Sequence, residues 1–209
     1  MSRDDSDGRD GALARLAESV RHLIDVTVTI DAPADAVTAA AARIDRVVDE
    51  LRAVVPNPPP PRYPGGGGTP SALFPYDYVM GKWNPLAAPL RIEWQDPYAV
   101  GVASFGTPYE GPPGCLHGGF VAAAFDDLLG FAQIASGLAG YTGMLTVRMR
   151  LPTPLNTRID YEAWVDHVHG RKIFVRGTSA VGGTPVADAE ILFIQPRQPR
   201  KLRPPGRPE

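Results

Sequence analysis

Residues 115–131 read CLHGGFVAAAFDDLLGF, and the apolar run they open, from 117 to about 136, constrains the fold more than any other feature. Phe120, Val121, Ala124, Phe125, Leu128, Leu129, Phe131, Ala132 and Ile134 would cover most sides of a helix, and a helix that is apolar all round has to be buried. What surrounds it in sequence is strand-like. Residues 91–95 and 99–105 form two short patterns split by Asp96-Pro97, a turn signal. Four more follow at 142–151, 158–168, 171–181 and 185–195, broken by Pro152-Thr153-Pro154, His169-Gly170 and Gly182-Gly183. Breaks this short favour antiparallel hairpins over parallel crossovers. The expected class is α+β, with about six antiparallel strands wrapped around one long central helix. Ala122 to Ala124 would let the strands approach closely.

The first 55 residues have a different character. Leu13, Leu16, Val20, Leu23 and Ile24 recur at spacings of three and four, then a short polar-apolar alternation intervenes. Beyond Asp31, an expected N-cap with Pro33 in the first turn, Val37, Ala41, Ile44, Val48, Leu51 and Val55 form a second one-sided stripe. The stretch PNPPPPRYPGGGGTP then excludes helix and sheet. Its four glycines lack the Gly-Lys-Ser/Thr of a phosphate-cradling loop. The expected organisation is an N-terminal helical extension (1–55), a Pro/Gly linker (56–70), a main domain (71–196) and a basic disordered tail (197–209).

Composition removes several function classes. With 21 basic against 23 acidic residues the net charge is −2, so no overall field draws in nucleic acid or an anionic membrane. Cys115 is the single cysteine, which excludes an intrachain disulfide and a cysteine-based zinc cage. The acidic start MSRDDSDGRDG is unlike a signal peptide, and no apolar run is expected to reach membrane-spanning length. A cytoplasmic protein without a metal or a bound cofactor is expected.

The anomaly is Asp126-Asp127 inside the apolar helix. Burying a carboxylate costs several kcal/mol unless partners or function compensate. Adjacent helical residues point about 100° apart, so the two cannot share one environment, and one can be solvated while the other is held inside. Upstream, His117-Gly118-Gly119 would leave backbone N–H groups open at a helix start, where the helix dipole favours an oxyanion. A donor site and a carboxylate on one helix form a pairing that acyl-transfer hydrolysis can use.

With these residues in view, GPPGCLHGGFVAAAFDD resembles the hotdog-fold acyl-CoA thioesterases of the phenylacetate-pathway (PaaI-like) type, over about residues 75–195. The resemblance implies a hotdog fold and hydrolysis of acyl-CoA to free acid and CoA, a reaction of fatty acid metabolism. It makes Asp126 the catalytic carboxylate, as nucleophile or as base for water. Gly118 would polarise the thioester carbonyl through its N–H, His117 would position that loop or the acyl group, and Thr142 would orient the attacking water. Asp127 becomes the solvated or structural partner. Substrate contacts are expected from Gly119, Glu110, Arg171 and Lys172, the last two meeting the phosphates of coenzyme A. Several relatives carry Asn or Gln about six residues before the histidine, where this chain has Gly111. The fold normally pairs two protomers, each site taking its helix start from one and its aspartate from the other, so a homodimer or a dimer of dimers is expected.

Other arrangements carry less. Strand alternation would put His167 and His169 on one face, but two histidines near a turn are weak evidence for a metal. Ser136 and Ser179 lack a Gly-x-Ser-x-Gly setting. Cys115 has no partners for nucleophilic catalysis and reads as packing. The rival function is a non-catalytic acyl-CoA or lipid binder using the same groove. A hotdog hydratase would need an aspartate before the histidine, which the central helix lacks.

Overall fold

A computed structural model describes residues 3–58, 74–88 and 90–197. Two helices come first, α1 (Arg3–Thr29) and α2 (Ala34–Ala53). The sheet domain contains β1 (Arg91–Gln95), β2 (Tyr98–Ala103), a turn of 3₁₀ helix at Thr107–Tyr109, α3 (Gly118–Ala135), β3 (Tyr141–Met149), β4 (Ile159–His169), β5 (Lys172–Val181) and β6 (Thr184–Ile194). Every strand pairing is antiparallel, and the order across the sheet is β1-β2-β4-β5-β6-β3. This is the hotdog arrangement: α3 follows β2, lies across the concave face, and feeds β3 at the far edge.

The core forms where two periodicities meet. Ile159, Tyr161 and Ala163 on β4, Ile173 and Val175 on β5, and Ala187, Ala189, Ile191 and Phe193 on β6 are buried at every second position. They face Val121, Ala124, Phe125, Leu128, Leu129 and Ala132 of α3. Helix and sheet approach closely at Gly177. A Cβ there would lie 2.8 Å from Leu129 Cδ1 and 3.0 Å from the Glu162 carbonyl, so β5 passes under the helix only because that side chain is missing.

Three expectations change. Asp31 does not cap α2: the N-cap is Pro33, no side chain caps the helix, and Val37 N–H bonds to the Pro33 carbonyl at 3.1 Å. The alternation at Val26–Ile30 does not end α1 early: the helix runs to Thr29, with the Thr27 and Thr29 hydroxyls donating back to the Leu23 and Asp25 carbonyls (2.6 and 2.9 Å). By length and composition α3 is apolar enough to cross a membrane, contrary to the sequence expectation, but its apolar side packs on the sheet. Residues 59–70 of the expected linker and 198–209 of the expected tail lie outside the described residues.

Candidate active site

α3 is less uniformly buried than its composition implies. The residues on its sheet side are sealed, whereas Phe120, Ala123, Asp126, Asp127 and Gly130 are only half-buried on the opposite side. Segment 74–88 covers part of that side and contributes to a cavity of about 260 Å³ holding Asp77, Asp126, Asp127 and Thr142. The carboxylates therefore belong to the helix face that the sheet leaves uncovered.

The two aspartates take opposite roles in solvation. Asp126 faces the open part of the cavity, where its Oδ1 accepts a hydrogen bond from the Thr142 hydroxyl at 3.3 Å. Thr142 is placed for this by its position second in β3, just before a register shift between Thr142 and Met144. Asp127 is the inner carboxyl, which corrects the expectation that it could be the solvated one. Burial is the main cause that pushes its pKa up to about 9, followed by a hydrogen bond to Asp77 and the charges of Asp77 and Asp126. Ionised, Asp127 would leave a buried Oδ2 without a donor; protonated, it donates to Asp77. Asp77 is held as the acceptor because its Oδ1 already receives the N–H groups of Val79 and Met80, at 2.7 and 3.1 Å. Nearby, the Tyr78 phenol is also raised, by burial first and then by Asp127, Asp126 and Asp77.

The start of α3 is a second polar centre. His117 is the N-cap, and its Nδ1 accepts from Gly119 N–H at 3.0 Å, which puts the ring proton on Nε2. Phe120 and Val121 N–H both reach the His117 carbonyl (2.9 and 3.3 Å). No acceptor among the described residues meets Gly118 N–H, so this amide is open to an incoming oxyanion.

The loop before the helix is held tightly. Glu110 Oε1 accepts from Gly114 N–H at 2.6 Å, so its carboxylate braces the Gly-Pro-Pro-Gly turn. Gly111 N–H bonds to the Cys115 carbonyl (2.9 Å) and His117 N–H to the Tyr109 carbonyl (2.9 Å). A Cβ on Gly111 would lie 2.8 Å from His117 Cα, so an Asn or Gln cannot stand here without displacing the histidine. The departure at Gly111 is thus built into this loop.

One chain does not bring these centres together. Gly118 and Asp126 are eight residues apart on one helix, about 12 Å along its axis. None of His117, Gly118 or Gly119 lines the cavity that holds Asp126 and Thr142. Arg171 and Lys172 do share the Thr142 end of the sheet, because Lys172 and Tyr141 both pair with Ile194. Lys172 is exposed, while Arg171 Nη1 donates to the Gln195 carbonyl at 2.9 Å. His167 is bound to Asp166 at 2.8 Å and stacked on Phe174, and no group of metal-ligating side chains forms among the described residues.

Asp77 and Tyr78 are site residues outside the sequence expectations, although Asp77 in FPYDYVM, a carboxylate in an apolar setting, carries the same signal as Asp126 and Asp127.

No family model matches the chain. Among curated proteins it is similar to acyl-coenzyme A thioesterase THEM4 of Xenopus laevis, 37% identical over 68 residues, 32% of this chain and 31% of the relative. It is also similar to THEM4 of Mus musculus, 33% identical over 92 residues, 43% of this chain and 40% of the relative. The chain thus spans well under half the length of these curated relatives. Among solved structures, the thioesterase superfamily protein RHA08564 superposes with a TM-score of 0.78 at 27% identity, over 87% of this chain and 94% of that one. Coverage of that extent exceeds the sheet domain, so part of the N-terminal helical segment has a counterpart there. The chain thus has the hotdog topology, with His117-Gly118-Gly119 and Asp126 on its central helix, and is similar in sequence and structure to proteins of the thioesterase superfamily.

Proposed function

We propose that the chain is an acyl-CoA thioesterase whose sites form between two copies. Each site would join the open Gly118 N–H of one protomer to Asp126 and Thr142 of the other. The observation that carries this reading is the 3.3 Å Thr142–Asp126 hydrogen bond in a cavity that His117, Gly118 and Gly119 of the same chain do not line. The curated relatives named acyl-coenzyme A thioesterases support the substrate class.

The chemistry follows from these groups. The thioester oxygen accepts from Gly118 N–H, which makes the carbonyl carbon more electrophilic and later stabilises the negative charge on that oxygen. Water oriented by Thr142 attacks the carbon while Asp126 removes its proton; alternatively Asp126 attacks first and water releases the acyl group from it. In either route the C–S bond breaks, CoA leaves as thiolate and is protonated, and the acid is released. His117, with its Nδ1 engaged by Gly119, keeps the helix start in place, and Glu110 braces the loop before it. Lys172, beside Arg171 at the Thr142 end of the sheet, would meet the phosphates of CoA.

The test is thiol release, followed with a chromogenic thiol reagent, over straight-chain acyl-CoAs from acetyl to palmitoyl and phenylacetyl-CoA. Enzyme-dependent release from at least one of them is the expected result. Tight calorimetric binding of acyl-CoA with no release from any would contradict it and identify a binding protein.

A further inference from the structure

We propose that the acyl group of the substrate lodges in an apolar cavity whose outer wall is helix α1, so that this N-terminal helix sets which acyl groups are accepted. The proposal rests on the thioester reading above and names the part of the molecule that selects the substrate.

The cavity measures about 410 Å³, a volume ordinary for a small-molecule site. Three distant stretches of sequence build it: Ile24 of α1, Tyr78 and Leu86 of segment 74–88, and Tyr109 with Phe120 at the base of α3. The inner wall belongs to the oxyanion loop. Tyr109 and Phe120 meet edge to face at 4.8 Å, and the Phe120 ring is centred 6.4 Å from that of His117, next to the open Gly118 amide. An acyl chain leaving a carbonyl held at Gly118 therefore has an apolar path beside it. Tyr78 lines this cavity, and the charges of Asp127 and Asp126 act on its phenol.

Two further observations fix the occupant's chemistry. Leu86 is 66% exposed and Tyr78 50% exposed, large apolar side chains gathered where no group among the described residues covers them, as expected of a surface that takes an apolar ligand. Arg21, which also lines the cavity, has its Nη2 engaged by the carbonyls of Lys82 and Asn84, both at 3.2 Å. That pair of bonds fastens α1 to segment 74–88 and engages Nη2 of the guanidinium. His22 and Asp25 complete the polar part of an otherwise apolar lining, and the Asp25 carboxylate disfavours a free acid, so the site suits an uncharged aliphatic or aryl acyl group.

The experiment narrows the cavity with Ile24→Trp and, separately, with Leu86→Trp, a position exposed enough to accept the larger ring. In the full chain, the ratio of kcat/KM for dodecanoyl-CoA to that for acetyl-CoA is expected to fall at least about tenfold in each variant. The variants are also titrated calorimetrically with dodecyl-CoA, a thioether that cannot be hydrolysed. Affinity at least about tenfold weaker than that of the unaltered chain supports the cavity whether or not catalysis occurs. An unchanged ratio, unchanged affinity, or no binding of the thioether by the unaltered chain overturns the proposal. Thioether binding that the variants weaken, in a chain that releases no thiol from any acyl-CoA, overturns the hydrolase reading alone.

Discussion

Asp126→Asn is expected to lower kcat on acyl-CoA by at least about 100-fold, the usual scale for removing a positioned base, while acyl-CoA affinity stays within a few-fold. The substitution preserves shape. An asparagine Oδ1 can still accept from the Thr142 hydroxyl, so the cavity and the β3 start are kept. What is lost is the ability to take a proton from water or to attack the thioester, and either loss falls on the chemical step. Steady-state thiol release paired with calorimetric binding separates the two quantities. Near-normal kcat in Asp126→Asn would remove this residue from the chemistry.

The second large effect concerns its neighbour. Burial beside Asp77 keeps Asp127 protonated up to about pH 9, whereas the same carboxyl in an unfolded chain ionises near pH 4. Between those values the folded chain holds a proton that the unfolded chain has released, so this group makes stability fall as pH rises from about 4 to about 9 and then level off. Asp127→Asn removes that contribution and keeps an N–H donor for Asp77. The variant is expected to match the unaltered chain near pH 4 and to exceed its unfolding free energy by several kcal/mol at pH 8, with an upper bound of about 5 kcal/mol. Urea denaturation at the two pH values reads this directly. Parallel pH dependence in both proteins would show that Asp127 ionises without cost in the folded state.

The two aspartates also show where sequence reasoning reaches its limit. Helix α3 and all six strands were legible because apolar periodicity and short glycine or proline breaks are local signals, and the observed ends differ from the expected ones by only one or two residues at most points. The resemblance marks Asp126 and Thr142 as separate site residues, and the hydrogen bond between them is seen only in the structure. Which aspartate is buried was not legible, because the answer depends on segment 74–88, which has no periodicity and reaches α3 through Asp77. The cavity against α1 was hidden for the same reason: its walls are joined by tertiary contacts such as Arg21 to Lys82 and Asn84. The missing cap on α2 is a smaller case. Asp31 has the right side chain, but Pro33 takes the cap position and starts the helix after it.

The central claim, a site shared between two copies, is tested most directly by mixing two defective chains. Asp126→Asn removes the carboxylate, and Gly118→Pro deletes the oxyanion N–H. Proline suits this first helical position, and the preceding His117, at φ −63 and ψ 133, already has the conformation proline requires of its neighbour. The group a Cβ here would meet is the flexible end of Met149, at 2.9 Å, which can move aside. Each variant alone is expected to be inactive. Co-refolded in equal amounts, the pair should recover about a quarter of the unaltered activity, because half of the dimers are mixed and each mixed dimer holds one intact site. No recovery in a sample shown to contain mixed dimers would contradict the shared site.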